Sequence, residues 1–181
     1  GVGGELALRL LALAGYTDVH VVSEQIAPDG DFPTVSFPNP EEPGVLDLAV
    51  ARAKALGADL VLANDPDADR LAVAVPDGAG GWRQLTGNEL GVLFADDLLT
   101  HGAPGPNDLV ATTIVSTAML QRIGAAHGVR VEETLTGFKW IAVAGLAHDS
   151  RGGRVRLGVV HSFASRRGNA VRDKDGIAAA V

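Results

Sequence analysis

The sequence predicts an α/β protein in two successive layers, and three observations carry that prediction. Of 181 residues, 46% are hydrophobic and only 4% aromatic, and the apolar mass is mostly Ala, Val and Leu. Such a mixture suits parallel strands covered by alanine-rich helices. Short apolar runs alternate with segments of helical period along the chain. The alternation breaks at Gly102-Ala103-Pro104-Gly105-Pro106-Asn107 and then restarts. Two domains, 1–103 and 104–181, fit this pattern better than one continuous sheet.

In chain order, Leu6 to Ala14 has helical spacing and is closed by Gly15, and Val19-His20-Val21-Val22 reads as a short strand. A proline-rich loop runs from Pro28 to Pro43. Its end, Asn39-Pro40-Glu41-Glu42-Pro43, leads into a helix, because proline is tolerated in a first turn and acids there complement the helix dipole. Leu46, Ala49, Val50, Ala53 and Leu56 give that helix its apolar side, and Gly57 ends it. Ala58 to Ala63 reads as a buried strand, followed by an acidic loop, a second apolar run from Leu71 to Val75, and a turn from Pro76 to Gly81. Asn88 to Leu99 is helical, with Leu90, Leu93, Phe94 and Leu98 facing inward. Beyond the break, Leu109 to Val115 is a strand, Ser116 caps a helix through His127, and Val129 to Glu133 is a strand. Gly137 to Leu146 is a helix, Val155 to Val160 a strand, and the final Ala178-Ala179-Ala180-Val181 the start of another helix. No repeat of the solenoid kind is present.

Charge and composition remove several function classes. The formal charge is 15 − 22 = −7, and no basic face is evident before residue 151, which argues against a nucleic-acid partner. Without cysteine, neither a disulfide framework nor a thiolate metal site is available. Neither a signal peptide nor an apolar run of about 18 residues is found, so no membrane partner is expected and a cytoplasmic location is the default. The scattered histidines lack a zinc-ligand spacing. The chain opens on Gly1-Val2-Gly3-Gly4 directly before a helix and stops inside one, so an internal piece of a longer protein is expected.

The most informative stretch is Asn64-Asp65-Pro66-Asp67-Ala68-Asp69-Arg70. Carboxylates at i, i+2 and i+4 cannot stack on a helix face, and on a regular strand they would line one side and repel. A turn after the preceding strand would fold all three toward one point. Converging anions need a cation among them, and hard oxygen donors favour magnesium, calcium or manganese. Arg70 adds a permanent five-donor fork suited to phosphate. An EF-hand loop is excluded, because its required Gly and Glu positions hold Arg70 and Pro76. A solvated acidic turn is the bland alternative.

Thr134-Leu135-Thr136-Gly137-Phe138-Lys139-Trp140 is the second constellation. Hydroxyls, a glycine and a lysine between a strand and a helix can meet an anion through backbone N–H groups. An ordinary capped helix with a surface lysine accounts for the same residues. Gly1-Val2-Gly3-Gly4 lacks the third glycine of a dinucleotide-binding turn, since position 6 is Leu.

These motifs occur in a recognisable order. The acidic loop is followed by Thr86-Gly87-Asn88-Glu89-Leu90-Gly91, Thr113-Ile114-Val115-Ser116, Thr136-Gly137-Phe138-Lys139-Trp140-Ile141 and Val171-Arg172-Asp173-Lys174-Asp175-Gly176, and preceded by Phe37-Pro38-Asn39-Pro40-Glu41-Glu42-Pro43-Gly44. Together they resemble the α-D-phosphohexomutases of the phosphoglucomutase/phosphomannomutase branch. The resemblance implies two three-layer α/β/α domains with mixed, mostly parallel sheets, corresponding to the second domain and most of the third of a four-domain enzyme. The first and fourth domains, and with them the phosphoserine loop, would lie outside this chain. Asp65, Asp67 and Asp69 would hold Mg²⁺, and Arg70 would lie near the phosphoryl group. Thr136, Gly137, Phe138 and Lys139 would contact the phosphosugar, with Arg70 and Lys139 the catalytic candidates. The substrate would be a glucose or mannose 1- or 6-phosphate. Its phosphate would move between O1 and O6 through a bisphosphorylated intermediate, and the piece alone would be inactive.

One departure concerns the sugar loop. Where the family carries a Gly-Tyr-Glu-Glu type segment, this chain reads Gly158-Val159-Val160-His161, so both glutamates are replaced. The basic, serine-rich run from Arg151 to Gly168 looks foreign to its surroundings, and a shifted reading frame there is one explanation. The lost acceptors favour a rival function, a non-catalytic metal or sugar-phosphate binding module derived from the enzyme. A Mg²⁺ phosphohydrolase with an aspartate nucleophile is a third reading that the downstream motifs oppose.

Overall fold

The computed structural model describes residues 1–160, 165–167 and 173–181. Two compact units emerge, one of residues 1–85 with 176–181, the other of residues 86–175.

The first unit opens with α1 (Gly4–Leu13), a short α2 (Ser23–Ile26) and α3 (Asp47–Leu56), followed by β1 (Val61–Asn64), β2 (Leu71–Pro76) and β3 (Trp82–Gln84). The strands pair in the order β1-β2-β3, both pairings antiparallel. Short connections permit only that direction, so in this unit the expected mostly parallel sheet is replaced by a meander. Leu46 and Ala53 of the α3 segment meet Val61 and Ala74 in one core, with Ala49, Val50, Ala63 and Trp82 around it. Leu56 stays exposed, and Gly57 ends α3 in the left-handed conformation expected of it. Val19 to Val22 do not form a strand. The run has strand-like residues, but no described segment pairs with it, and propensity without a ladder makes no sheet.

In the second unit come α4 (Gly87–His101), β4 (Asp108–Thr113), α5 (Met119–Ala126), β5 (Arg130–Thr134), α6 (Phe138–Asp149), β6 (Arg154–Val159) and β7 (Ser165–Arg167). The sheet order is β5-β4-β6-β7, with β4 parallel to both neighbours and β7 antiparallel at the edge. From β4 the chain steps out to β5, then back across β4 to β6. Right-handed crossovers in opposite directions place α5 and α6 on opposite faces. The packing agrees: Ala111, Ile141 and Val160 form a core with Phe138 of α6, whereas a side chain at Gly91 of α4 would strike Val159, the neighbour of opposite parity. This is the expected three-layer arrangement.

Helix α4, which the 103/104 boundary leaves with the first domain, packs against α5 and β6 in the second unit. Its buried side is Leu90, Gly91, Ala95 and Leu99, and the small residues allow close approach to the sheet. Leu93 is left exposed, a correction to the expected face. Ser116 does not cap α5, whose N-cap is Ala118. Its hydroxyl instead bonds that of Thr113 at 2.9 Å. The last helix, α7 (Gly176–Ala179), packs against α1 and β2 of the first unit.

Candidate metal centre and anion-binding loop

The acidic loop connects β1 to β2, so Asp65 to Arg70 is the turn of a hairpin. Its shape comes from backbone contacts. Ala68 N–H donates to Asp65 C=O at 3.0 Å, and Ala68 takes φ 59°, the left-handed region that an alanine adopts only under tertiary constraint. Both ends of the chain supply that constraint. Val2 N–H donates to Pro66 C=O at 3.2 Å, and Gly176 N–H to Ala68 C=O at 3.1 Å. A Cβ on Gly3 would collide with Ala68 Cβ, and one on Gly176 with the carbonyl of Arg70. The opening glycines are thus a brace beneath this loop.

The turn brings one carboxylate oxygen each of Asp65, Asp67 and Asp69 within 4.8 Å of one another. Asp65 is 5% exposed, Asp69 half-buried and Asp67 open to solvent. Arg70 holds Asp65 twice: its backbone N–H donates to Oδ1 at 2.9 Å and its Nε–H to Oδ2 at 2.8 Å. The same guanidinium lies 3.7 Å from Asp69 and donates from Nη1 to Asn39 Oδ1 at 2.9 Å. Asn64 closes the loop, its Nδ2 donating to Arg70 C=O at 2.8 Å.

Charge is divided unevenly. Burial pushes the Asp65 carboxyl up, but the two Arg70 hydrogen bonds and the guanidinium charge outweigh it and hold the group below its usual range. Asp67 is pushed up, first by burial and then by the charge of Asp69 and the neighbouring Asp65. A carboxylate with a raised proton affinity beside two others is under like-charge stress that a cation relieves. The donor set is oxygen only, which fits a hard divalent ion. The three aspartates can therefore hold such an ion, with Arg70 positioned at the rim.

The second constellation lies at the carboxyl end of β5. Gly137 takes φ 109° and ψ 133°, a conformation that favours glycine, and turns the chain into α6 without a side-chain cap. Trp140 N–H already donates to Gly137 C=O at 3.1 Å, so an acceptor arriving here would meet the N–H groups of Phe138 and Lys139. Thr136 and Lys139 are exposed, with Lys139 Nζ 5.6 Å from the centre of the Trp140 ring, while half-buried Phe138 packs into the core. Thr134 Oγ1 ties this loop to β4 by donating to Thr112 C=O at 3.1 Å. At the same end of the sheet, Thr117 N–H donates to Asn88 Oδ1 at 3.0 Å, and Thr86 forms a reciprocal capping box with Glu89. The Thr86, Thr113 and Thr136 motifs, separate in sequence, are gathered here.

Val160, one of the two positions where the family resemblance expects a glutamate, is buried among Ala111 and Ile141 and offers no acceptor. Part of the run that looked foreign is integral to this fold. Val155, Leu157 and Val159 are buried in β6. Arg154 and Arg156 both bind Asp108, with Arg154 Nε–H to Oδ1 at 2.8 Å and Arg156 Nε–H to Oδ2 at 2.7 Å. His161 and residues 162–164 lie outside the described residues.

The family model described as phosphoglucomutase/phosphomannomutase, alpha/beta/alpha domain II, matches residues 1–80, and that of domain III matches residues 86–181. The chain belongs to the phosphoglucomutase/phosphomannomutase family. It is 46% identical over its full length to a probable phosphomannomutase of Haemophilus influenzae, covering 36% of that protein. A phosphoribomutase of Saccharomyces cerevisiae is 40% identical over 96% of the chain, and a human phosphopentomutase 40% identical over all of it, with 29% and 31% of those proteins covered. The chain thus spans about a third of the length of these relatives. A solved phosphoglucomutase/phosphomannomutase family protein from Burkholderia thailandensis superposes with a TM-score of 0.79 at 25% identity, over 99% of this chain and 36% of that one. No helix among the described residues is long and apolar enough to cross a membrane.

Proposed function

We propose that this chain is the central part of a cytoplasmic, Mg²⁺-dependent phosphohexomutase that moves a phosphoryl group between O1 and O6 of a glucose or mannose phosphate. The observation that carries the reading is the convergence of Asp65, Asp67 and Asp69 beside Arg70 in a chain of this family. Asp65 is the fixed member of the trio, immobilised by Arg70, while Asp67 and Asp69 complete the donor set. Bound Mg²⁺ would neutralise charge on the phosphoryl group passing to and from a phosphoserine that lies in another part of the parent protein. Arg70 would orient that group through its planar fork. In the domain carrying the sugar-phosphate loop, Thr136, Gly137 and the N–H groups of Phe138 and Lys139 would receive a phosphate, with the Lys139 side chain adding a point charge. The phosphoserine and a second phosphate anchor would lie elsewhere in the parent, so the chain alone is expected to be inactive.

A pentose phosphate substrate is the second reading. It is favoured by the relatives named phosphoribomutase and phosphopentomutase and by the apolar Val160, which removes an acceptor for hexose hydroxyls. The full-length parent decides between them. It should interconvert glucose or mannose 1- and 6-phosphates when given Mg²⁺ and the matching bisphosphate. Turnover of ribose 1-phosphate alone supports the pentose reading. No turnover of any sugar phosphate refutes both and leaves a binding module.

A further inference from the structure

We propose that Asn39 is a positioning residue for Arg70, fixing its guanidinium for the phosphoryl group; the inference rests on the role given to Arg70 above. The Arg70 side chain is held from two directions. Asp65 takes Nε–H at 2.8 Å and Asn39 Oδ1 takes Nη1–H at 2.9 Å, from a residue 31 positions away. Two contacts on different nitrogens fix the plane of the fork, which one contact cannot do.

Asn39 is itself built to be rigid. It sits between Pro38 and Pro40, and each proline restricts both its own φ and the residue before it. Pro40 is buried, and its carbonyl accepts from Gln84 Nε2 at 2.9 Å, which pins the loop to β3. The Asn39 side chain also bonds Glu41 N–H through Oδ1 at 3.3 Å and donates to Glu42 Oε1 at 3.4 Å. An acceptor so restrained holds Arg70 with little entropy left to lose when substrate binds.

The test uses the full-length parent with variants Asn39→Ala, Asn39→Asp, Arg70→Lys and the double Asn39→Ala/Arg70→Lys, assayed for mutase kcat/KM alongside thermal melting. Removing a hydrogen bond to a charged group predicts a loss of about tenfold or more for Asn39→Ala. Asn39→Asp, which keeps the acceptor oxygen, should recover most of it. Lysine has no Nη1, so Asn39→Ala should cost little more in the Arg70→Lys background. Full additivity, or a loss that follows the melting temperature without recovery by aspartate, shows a merely structural role and overturns the proposal. If Arg70→Lys is too slow to assay, the aspartate recovery decides alone. If Asn39→Ala does not fold, Asn39→Leu replaces it. Wild-type activity in Asn39→Ala with collapse in Arg70→Lys refutes the inference while sparing the site. Wild-type activity in Arg70→Lys removes the reading of Arg70 and the inference with it.

Discussion

At the residue scale, Asp65 and Asp67 divide the work of the acidic turn. Asp65 is buried and its charge is stabilised by Arg70, so it stays ionised under all ordinary conditions. Asp67 faces solvent and holds its proton more tightly than a lone aspartate. A metal ligand must be deprotonated, so binding a cation should release protons on acidification, and affinity should weaken as pH falls toward the acid range, sooner than a lone aspartate would require. Calorimetry in buffers of different ionisation enthalpy measures that release. An affinity flat over this range contradicts the assignment. The trio was legible in the sequence because alternating carboxylates around a proline leave few conformations that avoid repulsion. Asn39 and Gly176 were legible only as parts of motifs. Their contacts with Arg70 and Ala68 cross long stretches of chain, and no local pattern records them.

At the element scale, the hairpin turn owes its shape to neighbours. A Cβ at Gly176 would meet backbone atoms of Arg70, which cannot swing aside as a side chain would. Gly176→Ala should therefore destabilise the first unit by about 2 kcal/mol and weaken metal binding, read by thermal melting with and without Mg²⁺. In the second unit, β4 and β6 are joined at their amino ends by Asp108, which is 2% exposed. Hydrogen bonds from Arg154 hold its carboxyl far below the usual range against the cost of burial, with Gly105 N–H and Arg156 adding to them. A depressed carboxyl stabilises the fold above the ordinary aspartate range and loses that stabilisation as pH falls below it. Asp108→Asn should cost about 2 to 3 kcal/mol at neutral pH, and its melting deficit should narrow on acidification toward about pH 2. A deficit constant with pH would show that the loss does not come from the ionised carboxylate. Helices and central strands were readable from period alone, as α3, α4 and β4 demonstrate. The Val19 to Val22 strand was misread because pairing depends on a partner that composition cannot supply. β3 escaped notice because Trp82-Arg83-Gln84 carries no apolar run.

At the scale of the whole molecule, the candidate residues gather in two places, the acidic hairpin of the first unit and the loops after β4 and β5 of the second. Family membership was legible from motif order, whereas the antiparallel sheet of the first unit was not, since a strand-loop-strand run permits either reading until loop length is considered. The account as a whole stands on the aspartate trio gripping a divalent cation. Titration of this chain with Mg²⁺ by calorimetry, set against Asp67→Ala, tests it most directly. A saturable heat in the wild-type chain that vanishes in the variant is the predicted result. Identical traces from the two proteins would contradict it.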